Sequence, residues 1–208
     1  MERSKARLST CGISFRRINR AFLSGCFFCI LLFASSCSSG GAQSPTKAQV
    51  HTRPKIVSMN ASWAQYYSDL PSIKKDAYLA VRGKITSVAS TSSPAQAPIS
   101  SYFNLTIEEI FWNPHNEALK SGSKIVIHQE GGLVNGVLYQ ADDDPLLQVG
   151  EETILFLHQY APGQFFVQGG PSGRFKVSNG AVTPISSDGM PLPGGTGLNS
   201  FRTQIKKA

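Results

Sequence analysis

Thr153-Ile-Leu-Phe-Leu-His158 is a continuous apolar run of the length of one strand, and such a run fits a strand buried on both of its faces. Working outward, a hairpin follows through Ala161-Pro-Gly-Gln into Phe165-Phe-Val-Gln, then the turn Gly169-Gly-Pro-Ser-Gly173, then Arg174-Phe-Lys-Val177 and Ala181-Val-Thr-Pro. Upstream, Tyr78-Leu-Ala-Val-Arg-Gly-Lys-Ile-Thr-Ser-Val88 alternates in its second half and is β-branched, with Gly83 at a bulge or sharp bend. Tyr102-Phe-Asn-Leu-Thr-Ile-Glu-Glu-Ile-Phe-Trp112 is a second long strand with Phe103, Leu105 and Ile107 on one face, and Lys124-Ile-Val-Ile-His-Gln-Glu130 is a third, stopped by Gly131-Gly132. Val137-Leu-Tyr-Gln is a weak strand or a loop, and Thr91-Ser-Ser-Pro-Ala-Gln-Ala-Pro is a loop. Turn signals recur every 8–12 residues, which implies a compact all-β barrel or sandwich.

Helices enter only at the ends of this series. Asp69-Leu-Pro-Ser-Ile-Lys-Lys-Asp76 has an acidic start, an early proline and later basic residues, which predicts one short helix before the first strand and packed across it. Leu198, Phe201 and Ile205 fall at i, i+3 and i+7, so a final amphipathic helix is expected to close on the barrel.

The chain has 208 residues, 20 Lys+Arg against 13 Asp+Glu, and a formal charge of +7. That balance invites a nucleic-acid partner, but its distribution argues against one. Residues 1–37 hold Arg3, Lys5, Arg7, Arg16, Arg17 and Arg20 against Glu2 alone, leaving a balance of +2 for the rest. All four cysteines, Cys11, Cys26, Cys29 and Cys37, lie in that same stretch. The body therefore has no disulfide, no thiolate zinc site and no thiol nucleophile. With 41% apolar and 16% charged residues, it suits one packed domain.

A basic segment, then Ala21-Phe-Leu-Ser-Gly-Cys-Phe-Phe-Cys-Ile-Leu-Leu-Phe-Ala34, then small residues, is the order of a secretory signal peptide. The apolar run falls short of the ~20 residues that cross a bilayer comfortably. Ala34-Ser35-Ser36-Cys37 resembles the lipobox of bacterial lipoproteins, whose cysteine receives a diacylglyceryl group before cleavage leaves it N-terminal. The family usually has Leu where Ala34 stands; Leu23-Ser24-Gly25-Cys26 matches better but precedes the main apolar run, and processing occurs at its far end. Ser38-Ser-Gly-Gly-Ala-Gln-Ser-Pro-Thr-Lys is then a flexible tether. The expected organisation is a lipoprotein signal peptide over 1–36, a lipidated Cys37 and tether over 37–54, and a barrel domain over 55–208.

Within that domain, Ala77-Tyr-Leu-Ala-Val-Arg-Gly-Lys-Ile-Thr-Ser-Val, Leu105-Thr-Ile-Glu-Glu-Ile, Pro145-Leu-Leu-Gln-Val-Gly-Glu-Glu-Thr-Ile-Leu-Phe-Leu and Gln168-Gly-Gly-Pro-Ser-Gly-Arg-Phe resemble a broad group of uncharacterised secreted bacterial lipoproteins. In outline, residues 70–206 are also similar to netrin-like domains and tissue inhibitors of metalloproteinases, which share an OB-type barrel. The resemblance implies a mainly β fold, a small OB-like antiparallel barrel, and no particular ligand. Those inhibitors chelate zinc through an N-terminal Cys-x-Cys, which nothing here matches, so their mechanism does not carry over.

Candidate chemistry in the body is sparse. His51, His115, His128 and His158 lack metal-binding spacings, so a metal site would need the fold to assemble His128, His158 and Glu130. Asp142-Asp143-Asp144 reads as a solvated acidic turn rather than a calcium loop, since the glycine and closing glutamate of an EF-hand are missing. Glu108-Glu109 and Glu151-Glu152 are neighbours on strands, so neither pair forms a hydrolytic dyad by itself. Gly-x-Ser-x-Gly is absent, and Gly131-Gly132 and Gly169-Gly170 lack the Lys-Ser/Thr ending of a phosphate loop.

The remaining candidate is a groove of aromatic and basic residues, Arg82, Lys84, Tyr102, Trp112, Arg174 and Lys176, able to bind a sugar or a polyanion. The expectation is a lipid-anchored protein on the extracytoplasmic face of a bacterial membrane. It binds an envelope protein or glycan, no nucleic acid and no cofactor, and has no catalytic or metal residue. The alternative is an envelope hydrolase whose carboxylate or histidine site the fold assembles.

Overall fold

The computed structural model describes residues 54–93, 98–193 and 196–208. The chain divides into two units, Met1–Gln49 and Val50–Ala208, and every described residue belongs to the second. The expected signal segment, Cys37 and the expected tether through residue 53 lie outside the described residues.

Strands take 48% of the structure and helices 14%, so pairing between distant segments carries the fold. In order, the elements are β1 (Lys55–Met59), α1 (Leu70–Asp76), β2 (Leu79–Ser92), β3 (Ser100–Trp112), β4 (Lys124–Glu130), β5 (Gly132–Val134) and β6 (Val137–Ala141). Then come β7 (Glu152–Ala161), β8 (Gln164–Val167), a 3-10 turn at Gly170–Gly173, β9 (Arg174–Ser178), β10 (Ala181–Pro184) and α2 (Leu198–Lys207).

Five of these strands close a barrel in the cyclic order β2, β3, β4, β8, β7. Every junction is antiparallel except β4 against β8, which is parallel. The parallel junction is what a Greek-key barrel of the OB type needs to close five strands. The expected barrel, short helix and terminal helix are all present.

β7 explains why the run Thr153–Leu157 is apolar throughout. Leu155 and Leu157 point into the barrel beside Leu79, Leu105, Ile127 and Phe165. Ile154 and Phe156 point outward, into a second core made with Phe175, Ile73, Phe201 and Ile205. β9 continues the sheet from β7, and β10 pairs with β9, so this side of the barrel is extended and covered by α1 and α2.

The α1 signals act as expected: Asp69 Oδ1 accepts the Ser72 amide at 2.8 Å and Pro71 sits in the first turn. That hydrogen bond holds the Asp69 carboxyl below its ordinary range. α2 is tied to β3 by Arg202, which donates from Nε and Nη2 to the two Glu109 oxygens at 2.6 and 2.8 Å. Gly83 falls at a register break between β2 and β3, where an added Cβ would lie 2.5 Å from Leu105 Cδ2 and from the Thr106 carbonyl oxygen.

Three expectations change. A strand precedes α1: β1 pairs in parallel with β6, and with β5 they form a small separate sheet. β2 also runs on through Thr91 and Ser92, which pair with Ser101 and Ser100. Backbone pairing and the Thr91–Ser101 hydroxyl contact at 3.1 Å extend the strand where the side chains give no periodic signal.

The third change concerns Asp144, expected in a solvated turn, and Arg174, expected on a binding surface. Both are buried, at 3% and 1% exposure. Arg174 Nη1 donates to Asp144 Oδ1 at 2.9 Å and Nη2 to Glu151 Oε1 at 3.0 Å, and Nη1 also reaches the Pro145 carbonyl. Gln129, buried at the end of β4, donates to Asp144 Oδ2 at 2.9 Å and accepts the Leu147 amide at 2.9 Å. Burial pushes the Asp144 carboxyl above its ordinary range, against the opposing pull of Arg174 and Gln129. The network fastens residues 144–151 to the barrel with Leu147 in its core.

Removing one member leaves the others as unpaired buried charge. Arg174→Ala should therefore destabilise the domain by about 3–5 kcal/mol, read as a lower denaturation midpoint in urea. Arg174→Met combined with Asp144→Leu and Glu151→Gln should recover most of that loss.

Candidate functional site

Alternation along each strand assigns Phe103, Ile127, Leu157 and Phe165 to the interior, so their neighbours face out. On the outer face Tyr102 of β3 stands opposite His128 of β4, His128 opposite Phe166 of β8, and Phe166 opposite His158 of β7. Four strands thereby contribute one continuous row of rings.

The rings touch. Tyr102 and His128 stack at 5.0 Å between centroids and 19° between planes, and His158 lies 4.9 Å from Phe166. Tyr160, near the end of β7, lies 5.8 Å from His128 and 6.2 Å from Phe166. Such contacts hold each ring at a fixed tilt and contribute about 0.5–1.5 kcal/mol per pair beyond area burial.

A wall rises beside this row. Residues 61–65 cross opposite it, and the other side is completed by Val167–Gly170, enclosing a cleft of about 640 Å³. Trp63 sets that wall: its indole Nε1 donates to Asp143 Oδ2 at 2.7 Å. The indole packs directly on Gly170, where an added Cβ would lie 2.4 Å from the ring, and φ is +53°. Tyr67 packs likewise on Gly169, and its hydroxyl accepts from Gln168 Nε2 at 2.6 Å and donates to Asp76 at 3.0 Å. Burial raises the Tyr67 hydroxyl above its ordinary range, so it stays protonated.

His128 has the most unusual environment in the cleft. Its Nε2 is buried without a hydrogen-bond partner among the described residues. Burial pushes the imidazole below its ordinary range, against the opposing pull of Glu130. It is therefore neutral at pH 7 and brings no charge into the cleft. The ring lies within β4 and is half-buried.

The expected groove of aromatic and basic residues is not assembled. Of its six members only Tyr102 lines the cleft. Arg82 is taken up by Glu152 at 2.6 Å, Glu108 at 3.3 Å and Glu109 at 3.6 Å. Lys84 and Lys176 are exposed on β2 and β9, flanking β7 at Glu152 and Thr153. Trp112 packs on the core under α1 and α2, with the Lys74 ammonium 4.5 Å from its ring centroid. Arg174 is buried in its ion-pair network.

His128, His158 and Glu130 do share the cleft, yet among the described residues no group of three or more His, Cys, Asp or Glu is arranged to hold a metal ion. The two imidazoles instead lie against aromatic neighbours, and among the described residues neither hydrogen-bonds a carboxylate. Sequence reasoning missed Trp63, Tyr160 and the cleft itself. Alternation in β3 and β4 does mark Tyr102 and His128 as outward-facing, but nothing local shows that 61–65 folds back opposite them. No protein-family model matches this chain, and a search of curated proteins finds no matching relative.

Gly170→Ala should push Trp63 off its seat, shifting tryptophan emission and lowering stability by about 1–3 kcal/mol from the strained φ alone. His128 gives a pH signature of definite sign. Its folded pKa lies below its unfolded one, so the stability it confers is complete above pH ~6.5 and drains away as pH falls through the folded value. His128→Phe should flatten that part of the stability profile in urea titrations run at stepped pH.

Proposed function

We propose that this chain is a lipid-anchored binding protein of the bacterial envelope, tethered through Cys37, whose barrel presents the aromatic cleft to a ligand on the extracytoplasmic side. One observation carries the binding reading: six rings from separate segments converge on a single walled cleft, on the outer face of a closed barrel. Of these rings His158, Tyr160 and Phe166 are exposed, and apolar surface left open in one place costs solvation that a bound partner recovers. The second and third strands of an OB-type barrel form its usual binding face, and here those are β3 and β4.

The anchoring reading has separate support. A basic segment, an apolar run, small residues and Cys37 stand in the order that lipoprotein export uses, followed by a small polar tether. Among the described residues no helix is long and apolar enough to cross a membrane. A tether and an acyl chain would let the cleft sample a layer of envelope close to the bilayer.

The arrangement favours binding over hydrolysis. The cleft histidines lie against aromatic rings with no carboxylate partner among the described residues, and the neighbouring Asp144 is committed to Arg174 and Gln129. No carboxylate pair faces across the cleft among its lining residues, which are acidic only at Glu130 and Asp144.

Two outcomes check this reading. Cys37→Ser should move the protein from the membrane to the soluble fraction and remove the acyl mass; unchanged fractionation and mass would refute the anchor. Envelope glycan and peptide fragments titrated into the protein should perturb the amide resonances of residues 61–65 and 167–170. Tyr102→Ala or Phe166→Ala should weaken that binding by about 1 kcal/mol each.

A further inference from the structure

The rings that define the cleft differ from a generic apolar patch in their electrostatic setting. No lysine or arginine lines the cleft among the described residues, while Glu130 does and forms no ion pair there. The face of an aromatic ring is its negative pole, so rings around a common space favour a cation at its centre. A neutral sugar could stack on the same rings and hydrogen-bond the carboxylate, but it would lack the direct charge attraction a cation gains there. An anionic ligand would be repelled by it.

Trp63 sharpens the preference. Its N–H donates to the Asp143 carboxylate at 2.7 Å. A hydrogen bond to an anion at the indole nitrogen pushes electron density into the ring and deepens its negative face. The same contact leaves Asp143 as a second negative charge behind the wall. His128, held neutral by burial, adds a ring without adding repulsion.

We propose that the cleft recognises an alkylammonium cation, held among the rings of Trp63, Tyr102, Tyr160 and Phe166 with Glu130 as its counter-ion. The proposal rests on the binding reading above and adds the chemical class of the recognised group. Alkylation matters because each carbon on the nitrogen replaces an N–H donor and lowers its hydration, so a quaternary ammonium loses least on entering an apolar enclosure and a primary alkylammonium loses more. The group can belong to a quaternary headgroup, a peptide amine or an amino sugar; the shared chemistry is the substituted ammonium.

The test uses the full chain in non-ionic detergent at fixed ionic strength, with binding read by isothermal titration calorimetry. Choline is compared with 3,3-dimethylbutan-1-ol, which has the same shape with carbon in place of the charged nitrogen. Choline should bind at least tenfold more tightly. Glu130→Gln should weaken choline several-fold and leave the neutral isostere unchanged. Phe166→Leu, which keeps an apolar side chain and removes the π face, should weaken choline more than the isostere. Thermal unfolding confirms that each variant is folded, and the two variants disturb different parts of the cleft. Lysine amide and glucosamine, run beside choline, identify the source by which binds most tightly.

Equal affinity for choline and its isostere overturns the cation proposal and leaves an apolar binding site. Binding of neutral envelope oligosaccharides that choline does not displace also overturns it, while the binding reading stands. If neither the cations nor any envelope fragment binds at the cleft, both fall together.

Discussion

Three consecutive carboxylates hold this domain in register with itself. Asp142 accepts from the Ser58 hydroxyl of β1, Asp143 from the indole of Trp63, and Asp144 from Arg174 of β9 and Gln129 of β4. The run bends just past the end of β6, so its successive side chains point in different directions and one short acidic run fastens three separate parts of the chain. The outermost contact ties the small sheet, the middle one sets the wall of the cleft, and the innermost one anchors the β6–β7 connection to the end of the barrel. Burial of Asp144 and Arg174 makes the innermost contact the demanding one. Each charge depends on its partner, and the desolvation cost falls on whichever is left alone.

The barrel supplies what that clasp requires, a rigid frame. Closure through the parallel β4–β8 junction removes free edges from the five-stranded ring. It also distinguishes two kinds of outer surface. Along β7, β9 and β10 the outside is buried again by α1 and α2, through Ile154, Phe156, Phe175, Phe201 and Ile205. Where β3, β4 and β8 meet at Tyr102, His128 and Phe166, no helix lines the outer face among the described residues, while α2 reaches only the far end of β3 at Glu109 and Trp112. One side of the barrel is thus buried under helices and the other carries the row of rings.

Much of this fold was legible from local pattern. The alternation in β3 and β4, the doubly apolar run in β7, the capping Asp69 with Pro71 and the i, i+3, i+7 spacing in α2 each report a face, and the fold uses each as that pattern implies. β1 was not legible, because Lys55-Ile-Val-Ser-Met59 is short and its strand character comes from pairing with β6, 82 residues later at Lys55 and Val137. Arg174 misled for a related reason. An arginine beside an aromatic on a short strand reads as surface, and only the return of Asp144 and Glu151 from the other end of the connection makes its burial tolerable.

By itself the sequence determined the class of fold, the helices at either end of the barrel strands, and a body free of cysteine with nearly balanced charge. These follow from periodicity, capping and composition, which act over a few residues at a time. Which polar groups are buried, and which rings share a cleft, was decided only by tertiary structure. Trp63, Tyr102, His128, His158 and Phe166 are separated along the chain and meet because barrel closure sets neighbouring strands in register, while Asp143 draws residues 61–65 across them. Such contacts are a property of how distant segments pack, and no local pattern encodes them.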